Sequence, residues 1–293
     1  MIFKHLNLYR LSNEVDIIQL SKALDSNPFE PCLPVQDRSA GFGKVFGLNK
    51  RIFSSDDTHL FCLTIQEKNV PASAVKAEYQ KLVQIQDQNG KKLSRDEKAI
   101  LKEQIRSGML PRAFSKNNEI WAYIDNKNKI LAINTTSRKN ADGLANTVKI
   151  LLGNISVYPL LPQHDVSSRM TFWLSENQSP KPFSSGLKCI IFDGDGSIHY
   201  KKRSLEDNNL RDYLQDDLKV IEMEFNYKDR VTFSLVEDFM IKDFIIHDAV
   251  LASMDSSKTK PLDKLSAEIS LMSREVGQMS SDLLSALGGE SSQ

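Results

Sequence analysis

Hydrophobic and polar positions alternate through residues 2–11 and read as a strand, with Ile2, His5 and Leu6 interrupting the strict period. Asn13 is placed to cap a helix over roughly 14–26, whose apolar side is Val15, Ile18, Leu20 and Leu24. Pro28, Pro31 and Pro34, then Gly41, Gly43 and Gly47, predict a loop-rich stretch, and HLFCLTI (59–65) predicts a strand. Pro71 stands where a helix would begin, and 72–88 continues in a helical pattern until QNGKK (88–92) breaks it. Ser94-Arg95-Asp96-Glu97 fits a capping box for a second helix to about 107, so the two arms form a helical hairpin. Gly108 ends the second arm and LPRAFS (110–115) makes the return.

Beyond the hairpin, EIWAYID (119–125) and KILAINT (129–135) flank a polar turn and predict paired strands. A helix from the Ser137 cap to about 152, stopped by Gly153, precedes a strand in ISVYPLL (155–161). Residues 165–186 favour neither period. LKCIIFD and SIHYKK pair across Gly194-Asp195-Gly196, and Ser204 caps a short acidic helix to about 215. LKVIEMEFNY and RVTFSLV form another hairpin turning near Lys228-Asp229, and FMIKDFII (239–246) is a further strand. A helix over about 274–287 ends at Gly288-Gly289. Strands and helices do not alternate as βαβ units, so the expected class is α+β with mixed antiparallel sheets and a protruding basic hairpin. The expected organisation is a discontinuous central domain of 1–70 and 117–165, a helical tip over 71–116, and a base domain over 166–293.

Charge sharpens this picture. The 293 residues carry 38 basic and 38 acidic side chains, a formal net of zero, which excludes a polycation. Residues 68–149 nevertheless hold 16 basic against 8 acidic groups, net +8, while 204–248 hold 5 against 12, net −7. A basic segment of this kind points to an anionic partner. Lys76 and Lys81 stand on the first arm, Lys91 and Lys92 at its turn, and Arg95, Lys98, Lys102 and Arg106 along the second. Steps of three, four and four keep those last four on one side of a helix. Arg112 and Lys116 follow with Phe114 between them, and Lys201-Lys202-Arg203 forms a smaller cluster beside the helix start at Ser204, where a phosphate contact is expected. Zinc-finger cysteines and an aromatic RNP motif are both missing, so contact with phosphates rather than with bases is the expected chemistry.

Enzymatic motifs are sparse. His5, His59, His164, His199 and His247 have no metal-ligand spacing, and no GxSxG, Walker or GxGxxG motif is present. Counted from Asp193, an EF-hand would need glycine and glutamate where Ile198 and Ser204 stand, so FDGDGS (192–197) is no calcium loop. Asp193 and Asp195 leave open a magnesium-dependent phosphoryl-transfer enzyme, and a tight hairpin turn would use the same residues. A protein-interaction module whose basic patch meets an acidic partner is a third reading. Cys32, Cys62 and Cys189 are far apart and odd in number, which argues against a disulfide framework and for a reducing cytoplasm. No apolar run suits a membrane span, and MIFKHLNLYRL lacks the continuous apolar segment of a secretory signal.

NLYRLS (7–12), FEPC followed by Gln36-Asp37, LPRAFS (110–115) followed by Trp121 and Ile124-Asp125, and LLSALGGE (283–290) resemble the RdgC family of bacterial recombination-associated proteins nearly end to end. Residues 165–200 look shorter and more divergent than the family pattern. The resemblance implies a non-enzymatic, cofactor-free protein of the cytoplasm and nucleoid, binding duplex DNA with little sequence preference. It further implies a ring-forming homodimer that passes DNA through a positively lined hole and restrains the RecA recombinase. Lys91, Lys92, Lys98, Lys102 and Arg112 match basic family positions of the tip, and Phe114 matches the aromatic of the contact that closes the ring. Lys201 and Lys202 match a basic pair near the other contact. Arg203 stands where the family pattern has a polar uncharged residue.

Overall fold

The structure is a computed structural model that describes residues 3–88, 93–205, 218–252 and 260–291. In chain order it contains β1 (Asn7–Leu11), α1 (Ile17–Ser26), β2 (Arg38–Phe42), β3 (Ile52–Ser55), β4 (Thr58–Asn69), α2 (Ala72–Gln88) and α3 (Arg95–Met109). A 3-10 turn over Leu110–Arg112 leads into β5 (Phe114–Asp125), followed by β6 (Ile130–Asn134), α4 (Arg138–Leu152), β7 (Val157–Pro159) and α5 (Val166–Ser175). Then come β8 (Phe183–Phe192), β9 (Ser197–Lys201), β10 (Lys219–Tyr227), β11 (Val231–Val236), β12 (Ile241–Ile246), α6 (Asp248–Ala252) and α7 (Pro261–Ala286). Among the described residues the strands make two antiparallel sheets, ordered β2-β4-β5-β6-β1-β7, with β3 on β4, and β12-β11-β10-β8-β9. The class is α+β, as the sequence predicts.

The chain divides into two compact units, one of residues 1–23, 52–61 and 121–293, the other of 24–51 and 62–120. In the first, β1 pairs with β6 from Asn7↔Ile133 to Arg10↔Ile130, and with β7 from Tyr9↔Pro159 to Leu11↔Val157. The β8–β12 sheet buries an aromatic cluster. Phe225 lies 6.0 Å from Phe233 and 6.2 Å from Phe183, with the Trp173 ring edge-on at 5.9 Å. Such pairs add directional attraction to the burial of large rings. Helix α5 is tied to β10 by polar bonds, the Ser167 hydroxyl donating to the Val220 carbonyl and the Val220 N–H to Thr171 Oγ1, both 2.9 Å. One carboxylate, Glu222, is buried between two cations, 2.5 Å from Lys188 Nζ and 3.0 Å from Lys242 Nζ. Burial disfavours its ionised form, but the hydrogen bonds from Lys188 and Lys242 outweigh that and hold its carboxyl below the ordinary value.

Several sequence expectations need correction. The first strand begins at Asn7, and Leu6 forms only an isolated bridge to Ile241. Helix α1 starts later than expected, and Asp16 rather than Asn13 accepts from the Ile18 N–H, at 2.9 Å. The stretch read as loop contains β2, because Gly41 lets two backbones touch. A Cβ there would sit 2.4–2.6 Å from backbone atoms of Pro28 and Phe29. The ambiguous 165–186 holds α5, and the terminal helix starts at Pro261, well before 274. The acidic helix expected from Ser204 falls on residues 206–217, outside the described residues. Gly288 and Gly289 end α7 with φ of +88° and +98°, the backbone that glycine adopts without strain.

Candidate nucleic-acid interface

The hairpin is built from local chemistry. Pro71 has no N–H to leave unsatisfied and its carbonyl accepts from Ala74 and Val75 at 3.0 and 3.2 Å, which starts α2. The capping box of α3 is formed in both directions. The Glu97 N–H donates to Ser94 Oγ at 3.2 Å and the Ser94 N–H to Glu97 Oε2 at 2.8 Å. Among the described residues α2 has no buried side chain and α3 has one, Ile105. Val75, Tyr79, Leu82 and Leu101 are half-buried along the seam. Ala74, Glu78, Val83, Gln86, Arg106 and Met109 are half-buried as well, and the remaining described residues of the two arms are exposed.

Exposure and pairing sort the cations. Lys76, Lys81, Arg95, Lys98, Lys102, Arg112 and Lys116 are all exposed, and Lys91 and Lys92 lie outside the described residues. Lys81 meets Glu78 at 3.5 Å, and Arg106 meets Asp37 at 3.1 Å and Glu103 at 3.7 Å. Lys102 Nζ sits 4.8 Å above the Tyr79 ring. No ion pair forms on Lys76, Arg95, Lys98, Lys102, Arg112 or Lys116 among the described residues, so their charge is available to an external anion. Lys76, Lys102 and Arg106 come together at one groove of about 460 Å³, with Val70, Ala72, Val75, Tyr79 and Gln80 as its other walls. A second hollow of about 400 Å³ holds Arg112 and Phe114 with Val70, Pro71, Met109 and Ala113. Phe114 itself is 90% exposed, at the first position of β5 rather than on a return loop.

Arg106 and Tyr79 are the residues whose part in this surface sequence reasoning did not resolve. Arg106 reads as one more free cation but is held by Asp37, across 69 positions of chain. Tyr79 carries a usable signal, since it follows Lys76 by one helical turn.

The smaller cluster belongs to the other unit. Lys201, Lys202 and Arg203 are exposed at the end of β9, and Lys202 has φ +60°. Between β8 and β9, Asp193 Oδ1 accepts the N–H groups of Gly196 at 2.6 Å and Asp195 at 3.0 Å. These backbone donors hold the Asp193 carboxyl below the usual carboxylate range. Asp193 is thus the residue that closes the hairpin turn. Among the described residues no group of three or more His, Cys, Asp or Glu is arranged to hold a metal ion. Burial pushes the Cys62 and Cys189 thiols up to about 12, far from a reactive thiolate. No helix among the described residues is long and apolar enough to cross a membrane.

These features define an α+β protein of two antiparallel sheets that carries a solvent-exposed cationic helical hairpin. A family model described as "Putative exonuclease, RdgC" matches residues 1–290. The chain is 30% identical over 299 residues to the recombination-associated protein RdgC of Shewanella loihica, covering 99% of this chain and 98% of that one. It is likewise 30% identical over 305 residues to that of Psychromonas ingrahamii, with all of both chains covered, and 28% identical to that of Shewanella piezotolerans. The chain belongs to the RdgC family. The family description names an exonuclease, whereas the relatives are named for recombination.

Proposed function

We propose that the protein binds duplex DNA without sequence preference as a ring-forming homodimer and restrains RecA-dependent recombination by occluding the duplex. The observation that carries this reading is the run of exposed cations free of ion pairs on a hairpin that fully buries only Ile105 among the described residues. A core-building helix would bury a stripe. This hairpin instead presents Arg95, Lys98 and Lys102 on one arm and Lys76 on the other, with Arg112 and Lys116 just beyond. Point charges on flexible stems suit phosphates, whose neutralisation releases counterions whatever the base sequence. Lys91 and Lys92 extend the set by sequence, and Lys201, Lys202 and Arg203 add a second basic element.

The same reading assigns 71–116 as the tip, 1–70 with 117–165 as the central domain, and 166–293 as the base. Phe114, a phenyl ring 90% in water beside an apolar hollow, suits a contact with a second copy that closes a ring. The names of the relatives support a role in recombination, and RecA competes for the same duplex in this account. The protein then acts by occupancy in the cytoplasm, at the nucleoid, without catalysis or cofactor. Asp193, already spent on a turn, favours this over phosphoryl transfer at Asp193 and Asp195.

Titrating random-sequence duplex at several salt concentrations tests the reading. Log affinity should fall linearly with log salt, by about 0.9 per phosphate contact. The pair Lys98→Gln and Lys102→Gln should lower affinity for all sequences alike and flatten the slope by about 1.8. A wild-type slope near zero would sink the proposal.

A further inference from the structure

Tyr79 is the one aromatic residue between Ala72 and Met109, and it lines the groove of about 460 Å³ on the hairpin. That volume lies within the roughly 300–1,000 Å³ common for ligand sites. Val70, Ala72 and Val75 give the groove apolar walls, and Lys76, Lys102 and Arg106 bring positive charge to it. One of these, Lys102, already rests on the tyrosine face at 4.8 Å. Arg106 is neutralised by Asp37 at 3.1 Å, whereas Lys76 and Lys102 have no carboxylate partner among the described residues.

A flat ring beside unpaired cations is complementary to a flat base joined to a phosphate. Stacked, paired duplex offers only phosphates and groove edges to such a surface, because its base faces are covered by their neighbours. We propose that the groove seats one unpaired nucleotide, its base taking the place of Lys102 on the Tyr79 face while Lys102 swings to the phosphate beside Lys76. The inference rests on the DNA-binding reading above and deepens it, giving the hairpin a preference for DNA that contains unpaired bases. Charge decides between occupants. An aromatic side chain from a second copy would use the apolar walls but leave Lys76 and Lys102 without a partner, whereas a nucleotide uses both.

The test compares two labelled duplexes of equal length, one fully paired and one with a short gap of unpaired thymidines. Wild-type protein should bind the gapped duplex roughly tenfold or more tightly, the effect expected of one stacked base. Tyr79→Leu should remove that preference, so that the variant binds the gapped and the fully paired duplex with equal affinity. Tyr79→Phe, which keeps the ring, should retain it. Equal wild-type affinity for the two duplexes, or a preference that survives Tyr79→Leu, overturns the subsite while the broader reading stands. Loss of self-association in Tyr79→Leu with the gap preference intact identifies the occupant as a second copy and also overturns it. Failure of the wild type to bind either duplex overturns the DNA-binding reading and the subsite together.

Discussion

Helix α7 and the α2–α3 hairpin both mix serines, charges and aliphatic residues, yet the protein uses them in opposite ways. In α7 the apolar residues Leu265, Ile269, Met272, Val276, Met279 and Leu283 follow steps of four and three without a gap, and all are buried. Even its polar side chains are drawn inward. The Ser273 hydroxyl donates to Asp125 Oδ2 at 2.6 Å, and Glu275 takes a fork from Arg230 at 2.7 and 3.0 Å. The hairpin arms have one seam between them and bury only Ile105 among the described residues. Burial of a helix's apolar stripe supplies most of its stability in a folded protein. The hairpin has given up much of that burial and keeps a charged surface instead, so it depends on caps and propensity where α7 depends on packing.

Truncation at matched helical positions should separate the two regions most sharply. Leu283→Ala, at 1% exposure, should cost about 2–5 kcal/mol of global stability in denaturant titration. Ile100→Ala on α3, at 57% exposure, should cost less than about 0.5 kcal/mol. Comparable losses at both sites would erase the distinction. A smaller effect is expected at Glu222, whose ion pairs Lys188 and Lys242 are partly exposed. Glu222→Gln should cost about 1–3 kcal/mol at neutral pH. Because the folded carboxyl lies below its ordinary value of 4.5, its contribution is present above about that pH and is lost as pH falls through the folded value. The variant should therefore lose less stability on acidification than the wild type, and an unchanged acid profile would discount the pair. The cap of the hairpin's second arm should show a local effect only. Ser94→Ala should cost about 1 kcal/mol of α3 stability, seen as faster amide exchange in α3 with the global unfolding midpoint in place.

What the sequence made legible divides along the same line. The start of α2 at Pro71 and of α3 at Ser94 depends on residues within one turn, and both are read correctly. So are the β8–β9 turn at Asp193 and the stop of α4 at Gly153. Features set by distant partners are not legible. Strand β2 looks like loop because its glycine answers to the backbone of Pro28 and Phe29. The first half of α7 looks too polar for a core helix, since Ser266, Ser270 and Ser273 are satisfied by Ser55, Asp56 and Asp125 on strands β3 and β5 and the turn after β3. At the candidate interface the cations are plain in the sequence. The placing of Lys102 over Tyr79 is not, because it needs the register between two helices.

Arg10 on β1 grips Glu290 at 2.7 and 3.0 Å, across 280 positions of chain, while Gln163 and His164 donate their N–H groups to Gly289 and Leu287. During synthesis this clasp gives the two units different schedules. All residues of the unit made of 24–51 and 62–120 have left the ribosome before α7 is translated. The unit that contains β1 cannot close its clasp until residue 290 emerges, on the order of 15–60 s after Arg10 at ordinary rates of translation. The unit that bears the hairpin is thus free to fold while β1 still waits for its partner.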